Sequence, residues 1–417
     1  MKKSYHRLTE KDFRIHWSVV SWTLAALVAA GVFAACAVQD RRGFVDRFPD
    51  LRPLDLSRPL NIRVALAELP GLPVLSDRDV RRIFAILKET AKTYLEADIQ
   101  FSEPDRVPME IFFRRYIYAD EFLKLQQETI IDPRKEGSVD ALAVALRVNM
   151  QPADVSAMME KVRAGADAAE IAAQCTNPDR CLKRINDFRK DKFDAEDKLR
   201  KALRSNVPPV DLPDLMKAVG DHPRLGLKSS ECTNEDTCVR LVAQYHMDWV
   251  KKILDIRDVN GREVFARAYQ YLQYEAWDWL ARRQKDYELV IINVPVASAE
   301  MTATWPVSLR GGITTGVTSM SPGPLGGMVV MSIYPFVADN DVFNELRGSP
   351  PEATAIDDFA WYTTHELGHL IRRWDHPAGY PEGCVMTPAT DIDYAKWVRA
   401  LKANGKCEPA PPVLKRY

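Results

Sequence analysis

Three of the chain's seven histidines fall within twelve residues, inside the stretch TTHELGHLIRRWDHPAGYPEGCVMTP from Thr363 to Pro388. His365 and His369 are four apart. On an α-helix such residues share one face, so two imidazoles can reach one ion only if this segment is helical. The longer stretch AIDDFAWYTTHELGHLIRRW reads as that helix. A third ligand must then come from elsewhere in the chain. This requirement, a helix with both imidazoles on one face, constrains the fold more than any other feature.

Glu366 sits beside the first histidine, where it can reach a water on the ion rather than the ion itself. In an H-E-x-x-H arrangement zinc acidifies the water and the glutamate takes its proton. The third ligand is open between His376 and Asp375, with His376 favoured because imidazole is a common neutral zinc donor. An acidic residue further on, Glu382 or Asp391, is the remaining option. Leu370 and Trp374 read as core residues, and Tyr380 as a packing residue before an oxyanion donor.

The run HELGHLIRRWDH with a downstream CVMTP resembles the metzincin clan of zinc metallopeptidases, which includes matrixins, snapalysins and archaemetzincins. Their pattern is H-E-x-x-H-x-x-G-x-x-H, or Asp in last place, followed by a methionine turn beneath the metal. His365, Glu366 and His369 match it, and Met386 fits the methionine turn. The glycine place is Arg372, and the last place is Asp375, with His376 one residue late. Glycine lets the family's chain leave the helix in a conformation costly for other residues. Without it the helix is expected to run longer, and the extra residue favours His376. The resemblance implies a twisted mixed sheet, a helix behind it, and an antiparallel edge strand that pairs with extended peptide. GGMVVMSIY is the candidate for that strand.

Near the N-terminus, Ser18–Val38 runs 21 residues without a charge, after Lys2, Lys3, Arg7, Lys11 and Arg14. At ~1.5 Å per residue such a helix crosses the ~30 Å apolar core of a bilayer, and the basic flank keeps the N-terminus in the cytoplasm. The bulk of the chain is then extracytoplasmic, either periplasmic or extracellular. The expected state is a signal anchor. Cleavage near Ala35 or Ala37, giving a secreted protein, and lipidation at Cys36 are the alternatives. Six further cysteines fit export. CTNPDRC and CTNEDTC form two matching C-x5-C units, read as Cys175–Cys181 and Cys232–Cys238, which leaves Cys384–Cys407. An intact helix holds positions i and i+6 roughly 9 Å apart, beyond disulfide reach, so each unit must contain a turn.

The 417 residues are 46% hydrophobic and 28% charged, which reads as globular. A formal net charge of -1 gives no argument for nucleic acid as a partner. Residues 1–38 form a cytoplasmic stub with the membrane or signal segment, and 39–58 a linker. LNIRVALAEL reads as a strand, SDRDVRRIFAILKETAKTYLEAD as a helix capped by Ser76, and PMEIFF as a second strand. Residues 118–285 read as a helical insertion carrying the duplicated C-x5-C unit. Strand signals return at YELVIINVPVA, followed by a Gly- and Thr-rich loop, RGGITTGVTSMSPGPLGG, and then MVVMSIYPF. DIDYAKWVRALKAN reads as a closing helix with Asp391 near its N-cap.

The expected fold is therefore α+β, a metzincin-like catalytic domain split between 59–117 and 286–417 around an all-α insertion. The expected cofactor is Zn2+. The expected activity is peptide-bond hydrolysis with Glu366 as general base and a peptide or protein as substrate. The insertion would gate the cleft or bind a protein partner, and the N-terminal helix would engage the membrane. A non-catalytic scaffold with a structural zinc, and a zinc hydrolase of cell-wall amides, are the competing readings.

Overall fold

Four apolar runs set the architecture. The computed structural model describes residues 54–129, 132, 134–149, 153–190, 195–206, 231–265, 268–298, 308–315, 323–377, 381–389 and 392–404. The expected membrane segment and Cys36 lie outside them. Among the described residues no helix is long and apolar enough to cross a membrane.

Strands β1 (Leu60–Ile62) and β2 (Val64–Glu68) lead into helix α1 (Asp77–Tyr94), then β3 (Ile99–Phe101), β4 (Asp105–Pro108) and α2 (Met109–Arg114). Among the described residues seven helices follow: α3 (Ala119–Thr129), α4 (Ser138–Asn149), α5 (Ala153–Arg163), α6 (Ala168–Ala172), α7 (Pro178–Arg189), α8 (Ala195–Asn206) and α9 (Glu235–Leu254). After α10 (Tyr274–Ala281) come β5 (Leu289–Ile292), β6 (Val296–Ser298), β7 (Ser308–Arg310), β8 (Gly312–Thr315) and β9 (Met328–Ser332). Helices α11 (Tyr334–Val337), α12 (Asp341–Arg347), α13 (Ala355–Leu367) and α14 (Tyr394–Asn404) complete the chain. This is a mixed α+β fold with a large helical insertion.

The main sheet runs β4-β2-β5-β9-β8. The first four strands are parallel, with Ala65 opposite Asp105, Leu66 opposite Ile291, and Ile291 opposite Met331. β8 closes the sheet antiparallel to β9, with Ile313 opposite Val330. Every residue of β5 and β9 is buried. Helices cover both faces of such strands, so their sequences are continuous apolar runs rather than alternations.

Three expectations need correction. LNIRVALAEL is two strands, because Arg63 breaks the run to engage Glu288 at the start of β5. PMEIFF is not a strand: Pro108 ends β4, and Met109, Phe112 and Phe113 bury themselves at helical spacing. A six-residue, mostly apolar segment fits either period, and tertiary packing decided it. GGMVVMSIY supplies β9, which is interior. Among the described strands the antiparallel edge of the sheet is β8, from within the segment expected to be a loop.

Helix α1 begins where expected. The Ser76 hydroxyl accepts from the Asp79 amide and the Asp79 carboxylate accepts from the Ser76 amide, a reciprocal cap. Its inner face, Val80, Ile83, Leu87 and Ala91, is buried, and α1 packs along α13. The Thr90 and Thr364 hydroxyls join the two helices at 2.6 Å.

The insertion has a core of its own, built from Val155, Met158, Val162, Ile171, Ile185, Leu199 and Leu203 across α5–α8. The Cys175–Cys181 disulfide lies inside it, and Cys232 pairs with Cys238 at the start of α9. In both units the shared asparagine is the helix N-cap: Asn177 accepts from the Arg180 amide and Asn234 from the Thr237 amide. Helix α10, by contrast, buries Trp277 and Leu280 in the main core.

Glu288, 1% exposed, accepts from the Arg63 amide at 2.8 Å, from Nε at 3.1 Å and from Nη2 at 2.5 Å. Removing one partner of a fully buried pair costs about 3–5 kcal/mol. Arg63 is a third exposed and can turn to solvent, so Glu288→Ala is expected to cost about 2 kcal/mol, read by urea unfolding. A change under ~0.5 kcal/mol, the range of ordinary surface substitutions, would show that this pair does not hold β2 against β5.

Candidate metal centre

Helix α13 is followed by one π turn, Gly368–Arg372, and by Arg373 in the left-handed conformation at φ 57°. A π turn holds one more residue than an α turn. The chain leaves the helix at Arg373, and Trp374, Asp375 and His376 double back.

That path brings His365, His369 and His376 together, with one ligand atom from each lying within 4.8 Å of the others. The Nε2 atoms of His365 and His369 are 3.3 Å apart, and those of His369 and His376 are 3.1 Å apart. His365 is buried, while the other two are partly open to solvent. Asp375 is exposed and accepts from the His376 amide at 2.7 Å, so its carboxylate is turned onto its own backbone. Glu382 is also exposed. Asp391 and Tyr380 lie outside the described residues.

The hydrogen bonds fix the imidazole tautomers. Nδ1 of His365 donates to the Val385 carbonyl at 2.8 Å, and Nδ1 of His369 donates to the Trp374 carbonyl at 2.6 Å. A carbonyl only accepts, so each Nδ1 carries the hydrogen and each Nε2 presents a lone pair. Two lone pairs held 3.3 Å apart repel, and a cation between them converts the repulsion into coordination. A tetrahedral ion with metal–nitrogen bonds of ~2.0–2.1 Å sets its nitrogens about 3.3 Å apart. The donor set fits a borderline-soft divalent ion.

Protons compete poorly for the ring nitrogens of His365 and His376. Burial, reinforced by the neighbouring imidazoles, holds His365 well below the ordinary histidine range. Burial, with a smaller contribution from His369, lowers His376 to about 4. Neutral imidazole is the ligating form. The Tyr362 ring stacks on His365 at 5.3 Å, and burial pushes its phenol up.

Below the helix lies the turn Cys384–Thr387, closed by the Thr387 amide on the Cys384 carbonyl at 3.0 Å. Trp397 of α14 donates to the Thr387 carbonyl at 2.8 Å. Met386 is fully buried with its sulfur against Gly368, where a Cβ would collide with it. Cys384 is disulfide-bonded; Cys407, its expected partner, lies outside the described residues. Leu370 and Trp374 are buried, as core residues are.

Glu366 is buried, and its Oε2 lies 2.8 Å from the Thr314 hydroxyl, which is also 2.8 Å from the Glu366 carbonyl. The next residue, Thr315, donates to Asp278 of α10 at 2.7 Å. Adjacent strand residues point to opposite faces, so α13 and α10 clasp β8 from either side. Gly312 is constrained too: a Cβ there would lie 3.0 Å from Glu366 Cγ. Sequence reasoning missed Thr314, although a Gly-flanked Ile-Thr-Thr carries β propensity that could have located it. It missed the role of Arg373 as well, for which no local signal exists.

No family model, no curated protein and no solved structure matches the chain. What can be said of function therefore rests on the geometry of this centre.

The cluster is expected to take about one divalent ion per chain. Cobalt or zinc titration of His376→Ala should show binding weakened at least tenfold, and Asp375→Ala should bind like the wild type. The reverse result would give the third place to Asp375.

Proposed function

We propose that the protein is a zinc-dependent metallopeptidase, exported or held at a membrane, with a metzincin-like centre. One observation carries the reading: three imidazoles converge on a point while a buried glutamate follows the first of them on the same helix. A structural site has no use for that carboxylate. The methionine packed under Gly368 supports the same reading.

His365, His369 and His376 would hold zinc, which supplies Lewis acidity toward water and a carbonyl oxygen. Glu366 takes the proton of the attacking water and passes it to the departing amine nitrogen. Thr314 holds one carboxylate oxygen and leaves the other for that proton. Strand β8, at the end of the sheet, offers main-chain N–H and C=O groups to an extended peptide lying antiparallel to it. The same strand carries Thr314, so substrate binding and base positioning share one element.

The export reading rests on Ser18–Val38 and is supported by the two disulfides, which persist in oxidising compartments. The substrate in this reading is a peptide or protein outside the cytoplasm, and the helical insertion is the surface for a protein partner.

Glu366→Gln keeps the shape and removes the proton acceptor. On a broad peptide library the variant should retain zinc and fold and lose about 10²–10⁴-fold in turnover. Equal turnover by both proteins would remove Glu366 from the mechanism. A wild type that binds zinc yet cleaves neither peptides nor cell-wall fragments would point to a scaffold, and cleavage of the fragments alone to an amidase.

A further inference from the structure

Arg373 is an expensive residue in its place. A side chain other than glycine disfavours the left-handed conformation, and Arg373 is 6% exposed. Burial lowers its pKa to about 10, and among the described residues no carboxylate offsets the effect and its Nε has no hydrogen-bond partner. Strain and desolvation of this kind persist only where surrounding contacts over-determine the conformation.

Those contacts are specific. Nη1 donates to the Leu370 carbonyl at 2.6 Å, capping the end of its own π turn, and Nη2 donates to the Leu325 carbonyl in the loop before β9. A planar guanidinium can span two acceptors in fixed directions, which an ammonium cannot do. The guanidinium therefore ties the helix exit to the sheet side of the molecule. The two residues that leave this turn serve the metal centre: the Trp374 carbonyl fixes the tautomer of His369, and His376 brings its Nε2 to 3.1 Å from that of His369.

We propose that Arg373 is the positioning residue of the metal centre, its buried guanidinium locking the left-handed exit that aims His369 and His376 at one point. The inference rests on the metal-site reading above and assigns the work of a helix-ending glycine to an arginine. The π turn supplies the extra residue, and the arginine's two bonds hold a conformation that its side chain disfavours. Arg372, one place earlier, lies over the Trp374 ring at 4.9 Å and is partly exposed; it has no part in the lock.

The test is zinc affinity, by chelator competition, with cobalt absorption as a second readout and melting of the zinc-free protein as the control for folding. Wild type is measured first, and failure to bind zinc overturns the metal centre and this inference together. Arg373→Ala is expected to bind zinc about 10–100-fold more weakly, with an altered cobalt spectrum and zinc-free melting close to wild type. Adding His376→Ala should cost less in that background than in wild type, because the arginine acts largely through that ligand. Wild-type affinity in Arg373→Ala, or losses that multiply in full, overturns the proposal. Should Arg373→Ala not fold, Arg373→Lys is compared with Arg372→Lys. Weakened zinc binding in the first alone supports the lock, and equal binding in both overturns it.

Discussion

Two backbone carbonyls organise the centre of this protein. Val385 and Trp374 accept the Nδ1 hydrogens of His365 and His369, and so force two nitrogen lone pairs to face each other at 3.3 Å. Left alone, that arrangement is repulsive. It persists because the carbonyls belong to segments fixed independently. One is the turn pinned by Trp397, and the other is the exit held by Arg373. The fold thus holds an arrangement that a cation would relieve, and a bound ion would add to the stability of what is packed around it.

The sheet enters through a single strand. β8 is short and antiparallel, yet it carries Thr314 toward Glu366 and Thr315 toward Asp278. The helical region, whose last helix shares the main core, is thereby linked to the strand beside the proposed base. A peptide pairing with β8 would press on both.

Much of this was legible in the chain. The i, i+4 spacing of His365 and His369 required a helix, and Ser76 with Asp79 announced where α1 starts. The spacing of each C-x5-C unit required a turn, and the structure shows the Asn of each unit capping the helix that follows it. Short apolar runs were less legible. Met109–Arg114, apolar except for Glu110 and Arg114, and Met328–Ser332 are both short, and only their neighbours made one a helix and the other an interior strand. Gly312–Thr315 was hidden for a related reason. Gly312, which suggests a loop, is there because Met331 and Glu366 approach too closely for a side chain.

The sequence by itself determined the donor types, their helical spacing, the glutamate beside them and the cysteine units, since each depends on neighbours within a turn or two of chain. Only the tertiary structure decided between His376 and Asp375. That choice depended on a π turn and a left-handed arginine, and the arginine's conformation is held by the Leu325 carbonyl, 48 residues away in the chain. No local preference encodes such a contact. The intrinsic preference of arginine points away from the conformation it adopts, and a buried guanidinium with two distant acceptors overrides it.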